Sequence, residues 1–330
     1  MTSEQSNEDS YREYQQDISN IIDAVEEVFV GQEEVVQQVV TSLIAGGHVL
    51  IEGVPGLGKT LLVKTIAEVL DISFSRIQFT PDLMPADIIG TRILHRDEGG
   101  RAEFTFQKGP VFTNVLLADE INRATPKTQS ALLEAMQEYH VTAGGDQYNI
   151  ADPFFVIATQ NPIEMEGTYP LPEAQLDRFF FKVRISYPAF KDLEKIADLT
   201  TSTEAPVIQK VSDREKLLKI REATRNILVS AEVKQYVIKT VLATHPDSPY
   251  SSEMAKKYVR YGASPRAVQA LILGGKVLAM QDGRFNLGYE DVRKVALSVL
   301  RHRILLNFEG EANNIDTDDI ITEILRTVNA

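Results

Sequence analysis

The sequence predicts an α/β protein: a parallel sheet with helices on both faces, followed by a smaller all-helical domain. Three observations predict it. Apolar runs of strand length recur at 48–52, 74–79, 115–118, 154–159 and 181–185; segments of helical spacing lie between them; and after Pro188 the strand signal stops while helical spacing continues. Strands that are apolar throughout, rather than alternating, belong to a sheet covered on both sides.

In chain order, residues 1–16 are polar and acidic and read as a flexible tail without the basic and apolar regions of a secretory signal. From Asp17 onward Ile18, Ile21, Ile22, Val25, Val28 and Phe29 recur at helical spacing, and Val35, Val36, Val39, Val40, Leu43 and Ile44 mark a second helix after Gly31. The strand at 48–52 leads into a helix at 59–70. Two interruptions read as hairpins: 91–94 and 103–106 flank Arg96-Asp97-Glu98-Gly99-Gly100, and 140–142 and 147–150 flank Ala143-Gly144-Gly145-Asp146. Surface decoration is one reading of both. Between them a helix at 126–138 opens with Thr125 as N-cap and Pro126 at its first position. The α/β domain therefore spans 17–188. The second domain, 189–330, carries helical segments near 190–199, 213–228, 231–243, 265–280, 290–303 and 317–328.

Composition bounds the function. The 330 residues are 43% hydrophobic and 25% charged, ordinary globular values for about two domains. Lys and Arg number 34 against 47 Asp and Glu, a net charge of −13, which argues against nucleic acid or anionic lipid as partner while leaving room for a local basic groove. There is no cysteine, which excludes disulfides, thiolate nucleophiles and zinc-thiolate or iron–sulfur sites and fits a reducing cytoplasm. No apolar stretch approaches the ~20 residues that span a bilayer. A soluble cytoplasmic protein is expected.

Gly53-Val54-Pro55-Gly56-Leu57-Gly58-Lys59-Thr60 matches G-x-x-x-x-G-K-[ST] between a strand and a helix, where the mechanism of a phosphate loop needs it. Glycines let backbone N–H groups turn toward phosphate oxygens, aided by the positive end of the helix dipole. Lys59 reaches the β- and γ-phosphates and the Thr60 hydroxyl can ligate Mg²⁺. The run Val115-Leu116-Leu117-Ala118-Asp119-Glu120 delivers two carboxylates at the end of an apolar strand, where ligands of parallel sheets lie. Asp119 is placed to hold the metal and Glu120 to orient and polarise the attacking water. Asn161, after the strand at 154–159, can donate to the γ-phosphate or the lytic water; an Asn opening a turn is the commoner use of Asn-Pro, but spacing and order favour the functional role.

Two arginines remain open at this point. Arg178 lies in a short helix that runs into the last strand; arginine suits a developing phosphoryl charge, but from residue type alone an ion pair with Asp177 or Glu173 is the favoured reading. Arg266 follows Ser264 as N-cap and Pro265 as first helical residue, so its charge faces the unfavourable end of a helix dipole at a cost of ~0.3–1 kcal/mol. A nearby anion would offset that. Phosphate is the favoured candidate and a neighbouring carboxylate the alternative.

The phosphate loop, Leu117-Ala118-Asp119-Glu120-Ile121-Asn122-Arg123-Ala124, Ala158-Thr159-Gln160-Asn161-Pro162, Leu171-Pro172-Glu173-Ala174-Gln175-Leu176-Asp177-Arg178-Phe179 and Gly262-Ala263-Ser264-Pro265-Arg266 together resemble the MoxR family of AAA+ ATPases, in its helix-2-insert clade, over about 18–303. The resemblance implies a P-loop NTPase sheet domain with a helical lid, ATP and Mg²⁺ as cofactors, and a ring, usually hexameric, with ATP between subunits. It implies Walker A for Gly53 to Thr60, with Gly53, Pro55, Gly56, Leu57, Gly58, Lys59, Thr60 and Leu61 around the nucleotide and Val30 and Gly31 against adenine. It implies Walker B for Asp119 and Glu120, sensor 1 for Asn161, an arginine finger acting on the neighbouring subunit for Arg178, and sensor 2 for Arg266. Both hairpins then resemble pore-facing inserts; Arg123 receives no role, and the stretch 307–330 falls outside what the resemblance explains.

The function so implied is ATP hydrolysis by a ring that remodels or activates client proteins, with partners carrying von Willebrand factor A domains. A magnesium-chelatase-type ATPase subunit and a non-hydrolysing assembly switch are the alternatives. No N-K-x-D motif supports a GTPase, a small-molecule kinase has no obvious task for the Glu120 carboxylate and two sensors, and a DNA-processing relative is disfavoured by the net charge.

Overall fold

The computed structural model describes residues 3–96, 102–162, 167–201 and 208–328. Helix α1 (Ser3–Glu26) and α2 (Glu33–Ala45) lead into β1 (Val49–Glu52), α3 (Lys59–Val69) and β2 (Phe74–Gln78). A short α4 (Pro85–Ile89) precedes the hairpin β3 (Gly90–Arg96) and β4 (Ala102–Lys108). Then come β5 (Val115–Asp119), α5 (Pro126–Glu138), a second hairpin β6 (His140–Ala143) and β7 (Asp146–Asn149), β8 (Phe155–Gln160), α6 (Glu173–Leu176) and β9 (Phe181–Arg184).

Strands β2, β5, β8, β1 and β9 pair in that order, all parallel, with Gln78 beside Asp119 and Glu52 beside Gln160. All five C-terminal ends thus lie along one edge, and the connections between them carry the chemistry. The apolar strands bury both faces. Val49, Ile51, Val115, Leu117, Phe155, Ile157, Phe181 and Val183 enter a core shared with α1, α2, α3 and the C-terminal helices. Leu50, Leu116, Ala118, Val156 and Ala158 enter a second core with Leu132, Leu133 and Met136 of α5. This two-sided burial is why β1, β5 and β8 read as continuous apolar runs, whereas the edge strands β2 and β9 place Arg76, Gln78, Lys182 and Arg184 on a face that is not buried.

The C-terminal part contains α7 (Phe190–Thr201), α8 (Arg214–Arg225), α9 (Ala231–Leu242), α10 (Glu253–Tyr258), β10 (Val259–Tyr261), α11 (Pro265–Gln281), α12 (Tyr289–Leu300), β11 (Leu305–Leu306), α13 (Phe308–Ala312) and α14 (Thr317–Thr327). A small antiparallel pair, Val259 opposite Leu306 and Tyr261 opposite Leu305, adds a β element to a region read as purely helical.

Two expectations change. Residues 3–16 continue α1 rather than forming a flexible tail: Tyr11 packs edge-to-face on Phe285 with ring centroids 5.1 Å apart and donates its hydroxyl to the Ala223 carbonyl, and buried Asp17 pairs with Lys216 at 2.6 Å. An acidic sequence becomes ordered helix because Tyr11 finds its partners more than 200 residues away in sequence. Thr125 has the extended backbone of an N-cap, but its hydroxyl meets Thr128 Oγ1 at 3.3 Å and caps no backbone N–H. The two hairpins expected from the sequence both form and lie against each other, with Phe106 stacked on Tyr148 at 4.0 Å and Arg92 paired with Asp146. The first hairpin's turn at 97–101 lies outside the described residues.

Candidate active site

Two adjoining cavities open at the C-terminal edge of the sheet. The polar one, about 290 Å³, is lined by Pro55, Gly56, Gly58, Lys59, Thr60, Arg76, Gln78, Asp119, Glu120, Thr159 and Asn161. The apolar one, about 280 Å³, includes Phe29, Val30, Leu57, Leu61, Tyr187, Leu193 and Ile196, and shares Gly56 and Gly58 with the first. A charged compartment and an apolar one therefore meet across the loop between β1 and α3.

The loop's shape follows from its glycines. Gly56 and Gly58 have φ of 85° and 77°, a region that side chains other than glycine enter only with strain. A Cβ on Gly58 would also sit 3.0 Å from the Phe29 ring. Helix α3 begins at Gly58 with no side-chain cap, so its first N–H groups face the polar cavity as an anion site. Lys59 Nζ donates to the carbonyls of Gly53 (2.6 Å) and Val54 (3.0 Å), and burial lowers its pKa while Asp119 and Glu120 oppose that shift. Val30 and Gln32 line the apolar cavity, but Gly31 between them does not; its φ is 77°, and a Cβ there would collide with Asp192 of α7 at 2.4 Å.

Opposite the loop stand the carboxylates. Consecutive residues of a strand point to opposite faces, yet Asp119 and Glu120 line one cavity. The reason is backbone: Glu120 adopts φ 57°, ψ 49°, a left-handed conformation that costs a non-glycine residue on the order of 1–2 kcal/mol and redirects its side chain. Thr159 fixes the junction. Its hydroxyl accepts from the Glu120 N–H at 2.9 Å and donates to Asp119 Oδ1 at 2.6 Å. Buried Asn161 lines the same cavity from the end of β8.

Sequence reasoning missed Arg76, Gln78 and Thr159. Arg76 donates to Asp119 Oδ2 (2.7 Å) and Gln78 Oε1 (2.8 Å), and Gln78 Nε2 donates to Glu120 Oε2 (2.9 Å). The signal was present: two exposed polar residues, two apart, on a strand read as apolar. Arg123, left unassigned, pairs with Glu120 at 3.1 Å.

Arg178 and Arg266 do not join this cleft. Arg178 Nη1 donates to the Leu133 carbonyl at 2.9 Å and lines a separate surface cavity with Ser130, Glu134, Gln137, His140 and Gln175. The Asp177 carboxylate takes Ser264 Oγ (2.8 Å), Arg266 Nη1 (3.2 Å) and Arg303 Nε (3.0 Å). Ser264 caps α11 as expected, through Arg266 N at 3.2 Å. The anion that offsets the dipole at Arg266 is thus Asp177, the carboxylate alternative, because α6 brings it against the N-terminus of α11.

For a nucleotide with its metal, the donor set fits. The apolar cavity could take a base, the uncapped α3 end with Lys59 could take phosphates, and Thr60 and Asp119 could offer oxygen donors to the metal. Among the described residues no group of three or more His, Asp or Glu side chains forms a ready-made metal cage. That suits Mg²⁺, which binds through one or two protein oxygens together with phosphate oxygens.

Comparison with known proteins agrees with this architecture. Residues 48–181 match the family described as ATPase family associated with various cellular activities (AAA), and residues 251–324 match the AAA lid domain. The chain is similar to Chaperone MoxR1 of Mycobacterium tuberculosis, 45% identical over 304 residues covering 92% of this chain and 80% of that protein. It is 31% identical to Protein MoxR of Methylorubrum extorquens, with 91% of each chain covered. A crystal structure from Cytophaga hutchinsonii, described as a candidate ATPase, superposes with a TM-score of 0.93 at 43% identity, covering 100% of this chain and 99% of that one. The lid match runs to residue 324, so most of 307–330 belongs to the lid rather than to an unexplained extension.

Proposed function

Because the chain belongs to the MoxR family of AAA+ ATPases, we propose that it hydrolyses ATP in the cleft between the β1–α3 loop and the ends of β5 and β8. The observation that carries this reading is the pairing of Lys59 and Thr60 with Asp119 and Glu120 across one cavity whose glycine wall adjoins an apolar pocket. Adenine lies against Val30, Gly31, Leu57 and Leu61. The phosphates run over the N–H groups of 56–60, and Lys59 leaves its carbonyl partners to meet them. Thr60 and Asp119 hold Mg²⁺, which supplies positive charge to the phosphate oxygens when bound. Glu120, held by Gln78 and Arg123, accepts a hydrogen bond from water and aims its oxygen at the γ-phosphorus. Asn161 donates to the γ-phosphate or that water.

Arg178, outside this cleft, is assigned to the junction between subunits, where it completes the site of the next subunit as an arginine finger, and Arg266, also outside the cleft, keeps the sensor 2 assignment. A closed ring, hexameric as the family resemblance implies, is assigned on that basis. The hairpin β3–β4 exposes Leu94 and Phe104 and is assigned to the ring's channel, in contact with client proteins, von Willebrand factor A domain proteins among them. The relative from Mycobacterium tuberculosis is named a chaperone; remodelling of clients is proposed here on that basis, in the cytoplasm. Among the described residues no helix is long and apolar enough to cross a membrane.

Phosphate release by the purified chain tests the proposal. The wild type should turn over ATP in a Mg²⁺-dependent way, while Glu120→Gln should bind a fluorescent ATP analogue with wild-type affinity and lose at least about 10²-fold in rate, as expected when a positioned base is removed. Normal turnover in Glu120→Gln would overturn the mechanism; absent turnover in the wild type, with binding intact, would make the chain a switch.

A further inference from the structure

One fully buried cation has no task in the mechanism above. Arg303, just past α12, has a side chain 2% exposed, and its guanidinium is spent almost wholly on one short segment. Nε donates to Asp177 Oδ1 at 3.0 Å, Nη2 to the carbonyls of Phe179 (2.6 Å) and Asp177 (3.4 Å), and Nη1 to that of Phe180 (3.2 Å), besides that of Val299 in the preceding helix. His302 Nε2 reaches the same Phe179 carbonyl at 3.0 Å. Burial pulls the Arg303 pKa down to about 10 against the opposing pull of Asp177, so the group stays charged at neutral pH.

A buried charge is costly unless paired and fully hydrogen-bonded, and here the pairing is concentrated on 177–180, the backbone that carries Arg178. Four of the five acceptors of Arg303 flank that residue on both sides. The far end of the Arg178 side chain is held in turn by the Leu133 carbonyl. A residue serving only to glue the lid to the sheet would have no need to saturate the carbonyls on either side of one half-buried arginine.

We propose that Arg303, acting with Asp177, is a positioning residue: it fixes the backbone of 177–180 so that Arg178 is presented to the phosphates held by the neighbouring subunit. This rests on the assignment of Arg178 to the junction between subunits. Arg303 belongs in this reading to the donor half of the junction, contributed by the lid of one subunit to catalysis in the next. A misplacement of about 1 Å costs on the order of 10²-fold in rate, so loss of this support should lower turnover without removing nucleotide from the subunit's own cleft.

Complementation in mixed rings separates the possibilities. Arg303→Gln should bind a fluorescent ATP analogue within about threefold of wild type, keep its oligomeric state by sedimentation, and lose about 10²-fold in ATPase rate. Mixed under subunit exchange with Lys59→Ala, it should regain activity to the same share as Arg178→Ala mixed with Lys59→Ala, because one orientation of each mixed junction is intact. Mixed with Arg178→Ala it should regain nothing, both lesions lying on the donor side. If Arg178→Ala with Lys59→Ala recovers activity but Arg303→Gln with Lys59→Ala gives only the sum of the parents, Arg303 serves its own subunit and the positioning role is wrong. Should the first pair also fail, the assignment of Arg178 across the junction falls and this role with it. Wild-type turnover in Arg303→Gln would overturn the proposal outright. Asp177→Asn, which keeps the shape and removes the charge, is put through the same mixtures, with the same outcomes deciding for or against the role if Arg303→Gln does not fold.

Discussion

Lys59 is the side-chain cation of the β1–α3 loop, and burial already weakens its hold on a proton. Lys59→Ala should therefore cost at least about 10²-fold in affinity for Mg-ATP, read by titration of a fluorescent analogue, since charge-assisted contacts to phosphate of about 1.5–3 kcal/mol each are lost; wild-type affinity would remove Lys59 from the site. Arg266 behaves differently. It is 49% exposed in its pair with Asp177, and such pairs contribute ~0–1 kcal/mol, about what the first-turn position costs. Arg266→Ala should leave the thermal midpoint within about 2 °C of wild type while lowering ATPase activity. A large loss of stability with activity intact would show Arg266 to be structural. That Arg266 needs an anion was legible from its place after Ser264-Pro265; that the anion is Asp177 was not, because the two are 89 residues apart and meet only when α6 abuts α11.

At the scale of elements, β1, α5 and β8 are joined by His48. The Val156 N–H donates to its Nδ1 at 3.1 Å, so Nε2 carries the proton and donates to the Met136 carbonyl at 3.1 Å. Protonating Nδ1 would break the first bond inside a buried site, and burial accordingly lowers the pKa to about 4. In the unfolded chain the group titrates near 6.5, so below that pH the unfolded state binds the extra proton and the native state does not. Stability is intact above pH 6.5 and falls as pH drops toward 4, by on the order of 3 kcal/mol at the lower limit. Buried His302, also shifted down, acts in the same sense. Urea unfolding at pH 7 and pH 4.5 should show a smaller pH dependence for His48→Gln than for wild type; equal slopes would mean the His48 shift is absent. The central strands β1, β5 and β8 were legible because two-sided burial writes continuous apolar runs, and the helices between the strands because of their periodic apolar faces. Helices α10 and α13 and the β10–β11 pair were not. They are two to six residues long, and their stability comes from packing rather than from a periodic face.

In the whole molecule, α1 spans the sheet layer and the lid, touching α2, α3 and α11. Tyr11 anchors its N-terminal half on Phe285 and Ala223. Removing a half-buried ring with its hydroxyl bond should cost about 1–3 kcal/mol, so Tyr11→Ala should lower the urea midpoint with ATP-analogue affinity unchanged, the nucleotide cleft being elsewhere. An unchanged midpoint would restore residues 3–16 to the status of a loose tail.

The sequence by itself determined the phosphate loop, the strand-end carboxylates and the layered α/β plan. Each of these is enforced over a few residues, by left-handed glycines at 56 and 58, by the uncapped start of α3, and by apolar runs that only a sheet covered on both faces can bury. Only the tertiary structure decided that Arg76 and Gln78 meet Asp119 and Glu120, that Glu120 turns into the cleft beside its neighbour, that Arg266 pairs with Asp177, and that Arg303 gathers the carbonyls around Arg178. Glu120 turns through its own left-handed backbone; the physical reason is common to the other three. A charge or donor states in sequence that it requires a partner, but which partner it finds is set by the order of strands and the docking of the lid, over separations of tens to hundreds of residues.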